Sequence, residues 1–252
     1  MAQLTKALAV LRGWGSGLLD LFYPPHCVAC GRMGAWLCAA CREQIAFLRP
    51  PVCAHCGRRL AGPGICAECH RSSSALAALR SVAEHRLPLR EAVHALKYEG
   101  LRALAEPCGE LLAQKWREEP WPAQVIVPVP LHPRRLRQRG YNQALLLARA
   151  LGRRIALPVR PELLLRQRDT RAQVGLNRQE RRENVAGAFR CAPGGAQGLT
   201  ILLVDDVLTT GATLEACAEA LVQGGAAQVW ALTLTRAVDD GADVRLVKGY
   251  GR

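Results

Sequence analysis

Four apolar residues in an unbroken run, Ile201, Leu202, Leu203 and Val204, read as a strand buried on both faces that stops at the carboxylates of Asp205 and Asp206. Residues 214–223, rich in Ala, Leu and Glu and closed by Gly224 and Gly225, read as the helix that follows. The same alternation occurs upstream. Residues 79–85 are strand-like, 89–96 put apolar side chains at 89, 92, 93 and 96 of a helix, and 101–116 predict a second amphipathic helix that ends before Pro120 and Pro122. Residues 125–130 form a short buried strand cut off by its prolines, and Asn142-Gln143 opens a helix over 144–153. The pattern predicts an α/β fold: an open parallel sheet with helices on both faces and two strand-to-helix loops at its carboxyl edge, where such sheets bind ligands. Over residues 1–22, Leu4, Leu8, Leu11, Leu18 and Phe22 keep helical spacing, but Gly13, Gly15 and Gly17 interrupt it. A short amphipathic helix packed on the domain is expected there, rather than a membrane anchor or a signal peptide.

The loop after the 201–204 strand carries the first candidate chemistry. Thr209, Thr210, Gly211, Ala212 and Thr213 sit at a helix N-terminus, where free backbone N–H groups, the positive end of the helix dipole and three hydroxyls suit a phosphate. A phosphate alone would not favour two acids beside it. Asp205 and Asp206 fit a ligand that also carries vicinal hydroxyls or a divalent cation, which describes a phosphorylated ribose with magnesium. The stretch resembles the phosphoribosyl-pyrophosphate (PRPP) motif of type I phosphoribosyltransferases, a hydrophobic strand, two acids and T-T-G-x-T. That resemblance implies that Asp205 and Asp206 hold the ribose hydroxyls, as the catalytic pair, while 209–213 wrap the 5′-phosphate. The competing readings are a receiver-domain strand, a Walker B strand or a buried strand whose acids cap a helix; only about forty residues follow, and no G-x-x-x-x-G-K-[ST] precedes.

Eight cysteines form a tandem pattern: Cys27, Cys30, Cys38 and Cys41, then Cys53, Cys56, Cys66 and Cys69. Each unit has a C-x-x-C-G knuckle, whose glycine allows the tight turn, and a second C-x-x-C, so two tetrahedral zinc sites with four cysteine ligands each are expected. Disulfides are the competing reading, which reducing surroundings disfavour. Sequential pairing fits the short loops, with a cross-braced pairing as the alternative. His26, His55 and His70 flank the knuckles and are expected to be exposed rather than ligands. The ligand sets are closed, so the zinc is structural or the module a docking surface. Too few large apolar residues lie between 23 and 71 to make a core, so metal would supply folding free energy. Residues 71–75, with three serines, read as a linker. Cys108, Cys191 and Cys217 lie outside the pattern and are expected to be buried and inert.

At 252 residues with half of them apolar, the chain has room for one sizeable α/β core and a small module. Its formal net charge is +13, and residues 131–190 account for most of it, with fifteen Arg, no Lys and four acids. That is either a solvated basic face or a surface for polyphosphate or nucleic acid. Aromatic residues argue against a base-stacking platform, since only Tyr141 and Phe189 fall in that region. Lys97, Arg137 and Arg139 are candidates to offset pyrophosphate charge, and Arg168, Arg171 and Arg182 to close over it as a hood.

The double cysteine module, Leu96-Lys97-Tyr98-x-Gly100, Val127-Pro128-Val129-Pro130, Arg137-x-Arg139-Gly140-Tyr141-Asn142-Gln143, and Arg168-x-Thr170-Arg171-x-Gln173 ahead of Arg182-x-Asn184 together resemble the ComF family of bacteria. The resemblance spans about residues 22 to 237 and divides the chain into an N-terminal helix (1–22), a double zinc ribbon (23–71), a phosphoribosyltransferase-like domain (76–237) and a tail (238–252). It implies a role in DNA uptake during natural transformation, in the cytoplasm or at the inner face of the cytoplasmic membrane. PRPP with magnesium is the implied ligand, and single-stranded DNA and a competence helicase met through the zinc module are further partners. Three functions are open at this point: a phosphoribosyltransferase, a non-catalytic single-stranded-DNA-binding accessory protein, and a PRPP-sensing regulator.

Overall fold

A computed structural model of the chain describes residues 24–169 and 178–237. The expected helix over 1–22 and the tail over 238–252 lie outside them. Two short helices, α1 (Ala39–Glu43) and α2 (Ala67–Arg71), belong to the cysteine-rich segment. Four strands make one sheet in the order β1 (Ala78–Glu84), β6 (Gln228–Arg236), β5 (Thr200–Leu208), β2 (Val125–Pro128), and every neighbouring pair is parallel. Because side chains alternate across a strand, Leu202 and Val204 of β5 face one core, with α3 (Leu89–Tyr98), α4 (Ala105–Glu118) and α6 (Gln143–Ile155). Ile201 and Leu203 face the other, with α8 (Ala212–Gln223) and the antiparallel pair β3 (Leu164–Arg166) and β4 (Phe189–Cys191). The expected open parallel sheet with helices on both faces is therefore present. Cys108 and Cys217 are fully buried, and burial pushes the Cys108 thiol up to about 12, so it is inert as expected.

Two boundaries differ from the sequence reading. β5 does not stop at the acids but continues to Leu208, because the ladder to β6 goes on: Asp205 pairs with Thr233, Val207 with Thr235 and Leu208 with Arg236. Local chemistry suggested a stop, and the neighbouring strand overrides it. The arginine-rich stretch after β2 is not a loop either. It is a helix, α5 (Pro133–Arg139), with Pro133 in the first turn, the His132 side chain accepting from Arg134 N, and Gly140 at its C-terminal end with φ 77°.

The zinc module is built onto the sheet. Residues 46–48 add an antiparallel stretch to the outer edge of β1 through Leu48 N to Val82 O (2.9 Å) and Glu84 N to Ala46 O (2.9 Å). The second knuckle continues along it: Leu79 N donates to His55 O at 2.7 Å, and Arg80 donates to Ala54 O at 3.1 Å. Gly57 lies so close that a Cβ there would meet Leu79 O at 2.7 Å. On the far edge, Ile126 pairs with Pro158 and Arg160, so both borders of the sheet are covered. The serine-rich stretch expected to be a linker is tied down, with Ser74 Oγ and Ala75 N donating to the Glu215 carboxylate in the first turn of α8.

Candidate functional site

All four strands deliver residues to the carboxyl edge of the sheet, and there a cleft of about 1300 Å³ opens. Its floor is Asp205, Asp206 and the loop with Thr209, Gly211 and Thr213; α3 supplies one wall with Arg90, Glu91, His94, Lys97 and Tyr98; β2 and α5 supply the other with Val129, Pro130, Arg135 and Arg139. Gly211 is the N-cap of α8 at φ 85°, a conformation that suits glycine and turns the chain so the first helical N–H groups face the loop. Thr210 Oγ1 accepts from Ala212 N at 3.4 Å, Ala212 is buried, and Thr213 is half-buried.

The acids are not equivalent. Asp206 is buried, its side chain 4% exposed, and its Oδ2 lies 3.0 Å from Lys97 Nζ at the end of α3. That oxygen has no hydrogen bond of good geometry among the described residues, so the ammonium is its compensation. Asp205 is half-buried, and its Oδ1 accepts from Asp206 N at 2.9 Å. Burial and the Asp206 carboxylate beside it raise the Asp205 pKa to about 8, against the pull of Lys97. Between the ordinary value of 3.8 and about 8, the folded chain holds a proton that the unfolded chain has released, so stability falls as pH rises through that window. Asp205→Asn, which removes the charge and keeps the shape, is expected to raise Tm by several degrees near neutral pH. The gain should be larger at about pH 8 than at about pH 6 in differential scanning calorimetry. A gain independent of pH would show that the carboxyl is not displaced.

Magnesium has no ready-made seat here. Of the two acids, Asp206 is already paired with an internal ammonium, which leaves one carboxylate of the pair, so the pair does not retain a divalent cation unaided.

Of the expected cation residues, Lys97 and Arg139 line the cleft. Arg139 bonds Gln143 Oε1 at 2.5 Å and stands over the Tyr98 ring at 5.4 Å. Arg137 is exposed on α5 and is not among the lining residues. Arg168 is exposed and donates to Ala186 O (2.6 Å) and Asn184 O (3.1 Å), bracing β3 against the end of α7 (Arg178–Val185). Arg171 lies outside the described residues; Arg182 falls in α7, with its side chain outside them. Residues not foreseen also reach the cleft: Arg135, Arg166 from β3, Arg90 and His85. Arg135 and Arg139 are four apart, so they share the cleft face of α5 and Arg137 does not; recognising the Pro133 helix start would have shown this.

The cysteines form two clusters, Cys27/Cys30/Cys38/Cys41 and Cys53/Cys56/Cys66/Cys69, each with its four sulfurs within 4.8 Å of one another, so the pairing is sequential. The Cys30–Cys38 and Cys56–Cys66 sulfur separations are 3.7 and 3.8 Å. A tetrahedron with Zn–S of about 2.3 Å has an edge of about 3.8 Å. Cys53 is pushed down to about 3, by a hydrogen bond from Cys56 and by the backbone N–H groups of Cys66, Cys56 and His55, against burial; those donors favour the thiolate that binds metal. His26 and His70 are exposed as expected. His55 is not: it is half-buried, with Nε2 2.8 Å from Leu76 O, because its knuckle lies against β1.

Residues 18–70 match the double zinc ribbon domain family. Over 208 residues the chain is 33% identical to the DNA utilization protein YhgH of Salmonella typhi, covering 79% of this chain and 90% of that protein. Competence protein F of Haemophilus influenzae is 31% identical over 206 residues, 78% of this chain and 89% of that protein. The chain belongs to the ComF family. Among solved structures, the glutamine PRPP amidotransferase of B. subtilis is similar at 20% identity and a TM-score of 0.38, over 52% of this chain and 26% of that one. The ComF chain thus joins two four-cysteine zinc-binding sites to an open parallel sheet whose ligand edge carries the acid pair. Among its described residues no helix is long and apolar enough to cross a membrane.

Proposed function

We propose that this ComF protein binds PRPP at the cleft and that this serves a role in DNA uptake, the latter following from relatives named for competence and DNA utilization. The observation that carries it is the meeting of three recognition elements at one sheet edge. The N-terminus of α8 takes the 5′-phosphate at 209–213, Asp205 and Asp206 accept from the ribose hydroxyls, and Lys97, Arg135, Arg139 and Arg166 face the pyrophosphate side. Magnesium travels with the ligand as a counter-ion of its pyrophosphate, the chain offering no separate seat. With the ribose fixed and cations around the leaving pyrophosphate, displacement at C1 is the reaction the geometry favours. The two zinc-binding sites brace the fold and leave the helicase role of the module as a further expectation.

Calorimetric titration of the zinc-loaded protein with PRPP and magnesium tests this reading. Saturable binding that disappears in Asp205→Asn, Asp206→Asn is expected. Unchanged binding in the double variant would remove the acids from the site. No binding in the wild type would turn attention to the exposed arginines of α5 as a surface for single-stranded DNA, which should then bind with a steep salt dependence.

A further inference from the structure

His85 stands just past the end of β1, half-buried, and lines the cleft. A line of hydroxyls runs to it through the sheet. Thr235 Oγ1 donates to Asp206 O at 3.4 Å, and His85 Nδ1 lies 2.9 Å from the same hydroxyl. With the hydroxyl proton turned to that carbonyl, Nδ1 is the donor in its bond to Thr235. Behind it the chain of hydroxyls continues, with Thr233 Oγ1 3.3 Å from Thr235 O and Ser81 Oγ 2.6 Å from Thr233 Oγ1. In that arrangement the imidazole is the Nδ1–H tautomer, and its lone pair is on Nε2, which makes no hydrogen bond among the described residues.

We infer that His85 Nε2 is the proton acceptor for the nucleophile that attacks ribose C1, and that this nucleophile is an N–H or O–H group that must lose its proton to react. The inference rests on the PRPP reading above. The acceptor–C1 bond forms as the bond from C1 to pyrophosphate oxygen breaks, the electron pair leaves on pyrophosphate, and the acceptor proton passes to Nε2 and on to water. No redox partner is needed.

Most other titratable groups of the cleft are already engaged, and Asp205 is given to the ribose hydroxyls in the reading above. The phosphate loop, 209–213, has no titratable side chain. Lys97 and Asp206 hold each other, Tyr141 donates its hydroxyl to Leu96 O, Glu91 is paired with Arg90 at 3.0 Å, and His94 is exposed and bonded through Nδ1 to Glu99 at 3.0 Å. The charged groups that face His85 are Lys97, Arg90 and Glu91 from α3 and Asp206 from β5. Burial first, then Lys97 and Arg90, lower the His85 pKa against the two acids, so the ring is neutral and competent as a base at neutral pH.

The test measures pyrophosphate release from PRPP and magnesium with adenine, guanine, uracil or water as acceptor, beside PRPP affinity by calorimetry. His85→Asn keeps a donor toward Thr235 and removes the Nε2 lone pair. It is expected to bind PRPP within about twofold of wild type, release pyrophosphate at least about 10²-fold more slowly, and lose the acid limb that the wild-type pH profile shows below the ordinary histidine value. Thr235→Val, which removes the hydroxyl that meets Nδ1, should give an intermediate rate with that limb retained but displaced. Wild-type release by His85→Asn, an unchanged acid limb, or PRPP binding with no release by the wild type on any of these acceptors would overturn the assignment while leaving the binding site standing. Failure of PRPP to bind would instead overturn the reading beneath it.

Discussion

Stripping zinc from this ComF protein is expected to unfold its second ribbon outright and its first only in part. The reason lies in what each ribbon has apart from metal. Cys27, Leu37, Cys38, Cys41 and Ile45 belong to the main core that α4 and β1 also line, and Arg42 bonds Glu110 of α4 at 2.5 Å. In the second unit Cys53, Leu60 and Cys66 are the residues buried together, too little apolar surface to order a segment of that length. Zinc binding in isolated fingers is worth on the order of 10 kcal/mol, so that unit has almost nothing to replace it. The loss should travel. Arg236, at the end of β6, donates to Cys56 O at 2.5 Å, and Arg80 and Leu79 of β1 bond to Ala54 and His55. Hydrogen exchange after chelation should show early loss of protection over 53–69, then at Leu79, whose N–H bonds His55 O, with 27–45 retained longer. Metal analysis of the intact protein should find two zinc ions per chain, one for each cluster. Equal loss of both ribbons, or an unaltered exchange pattern, would contradict this account.

That asymmetry was not legible in the sequence, and the reason is physical. Cysteine spacing reports ligand geometry, because two knuckles must aim four thiolates at one point, and it favoured the sequential pairing with cross-bracing as the alternative. It carries nothing about what each ribbon rests on. The strand-to-helix turn that carries the acid pair was legible for a similar reason, since the strand, the glycine N-cap and the helix lie in one short stretch of chain. The cleft walls were not. Arg166 comes from a three-residue strand that exists only because β4 pairs with it, and His85 matters through Thr235, 150 positions away in the chain. α5 is masked for a different reason: its apolar positions are too few to show a helical period, and only Pro133 and Gly140 mark its start and end. Arg236, at the end of β6, is turned to the zinc knuckle and is not among the cleft residues.

Breaking the Lys97–Asp206 pair from its two sides is expected to give very unequal results. Lys97→Met leaves the Asp206 carboxylate, 4% exposed, without the ammonium that compensates Oδ2, and should cost about 3–5 kcal/mol of stability by urea denaturation. Asp206→Asn leaves an ammonium that is 20% exposed on a long, flexible stem at the end of α3, free to turn toward the open cleft, and should cost about 1 kcal/mol. The double variant carries neither charge. It should be more stable than Lys97→Met alone, with a coupling energy of at least about 2 kcal/mol in the double-mutant cycle. Additive losses would mean that the two groups do not sense each other. The same inequality bears on the ligand, because a PRPP pyrophosphate that attracts Lys97 must draw it from Asp206, and ribose hydroxyls donating to Asp206 are what restore the balance. PRPP should therefore rescue part of the stability lost in Lys97→Met. Inorganic pyrophosphate, which carries the charge without the hydroxyls, should not.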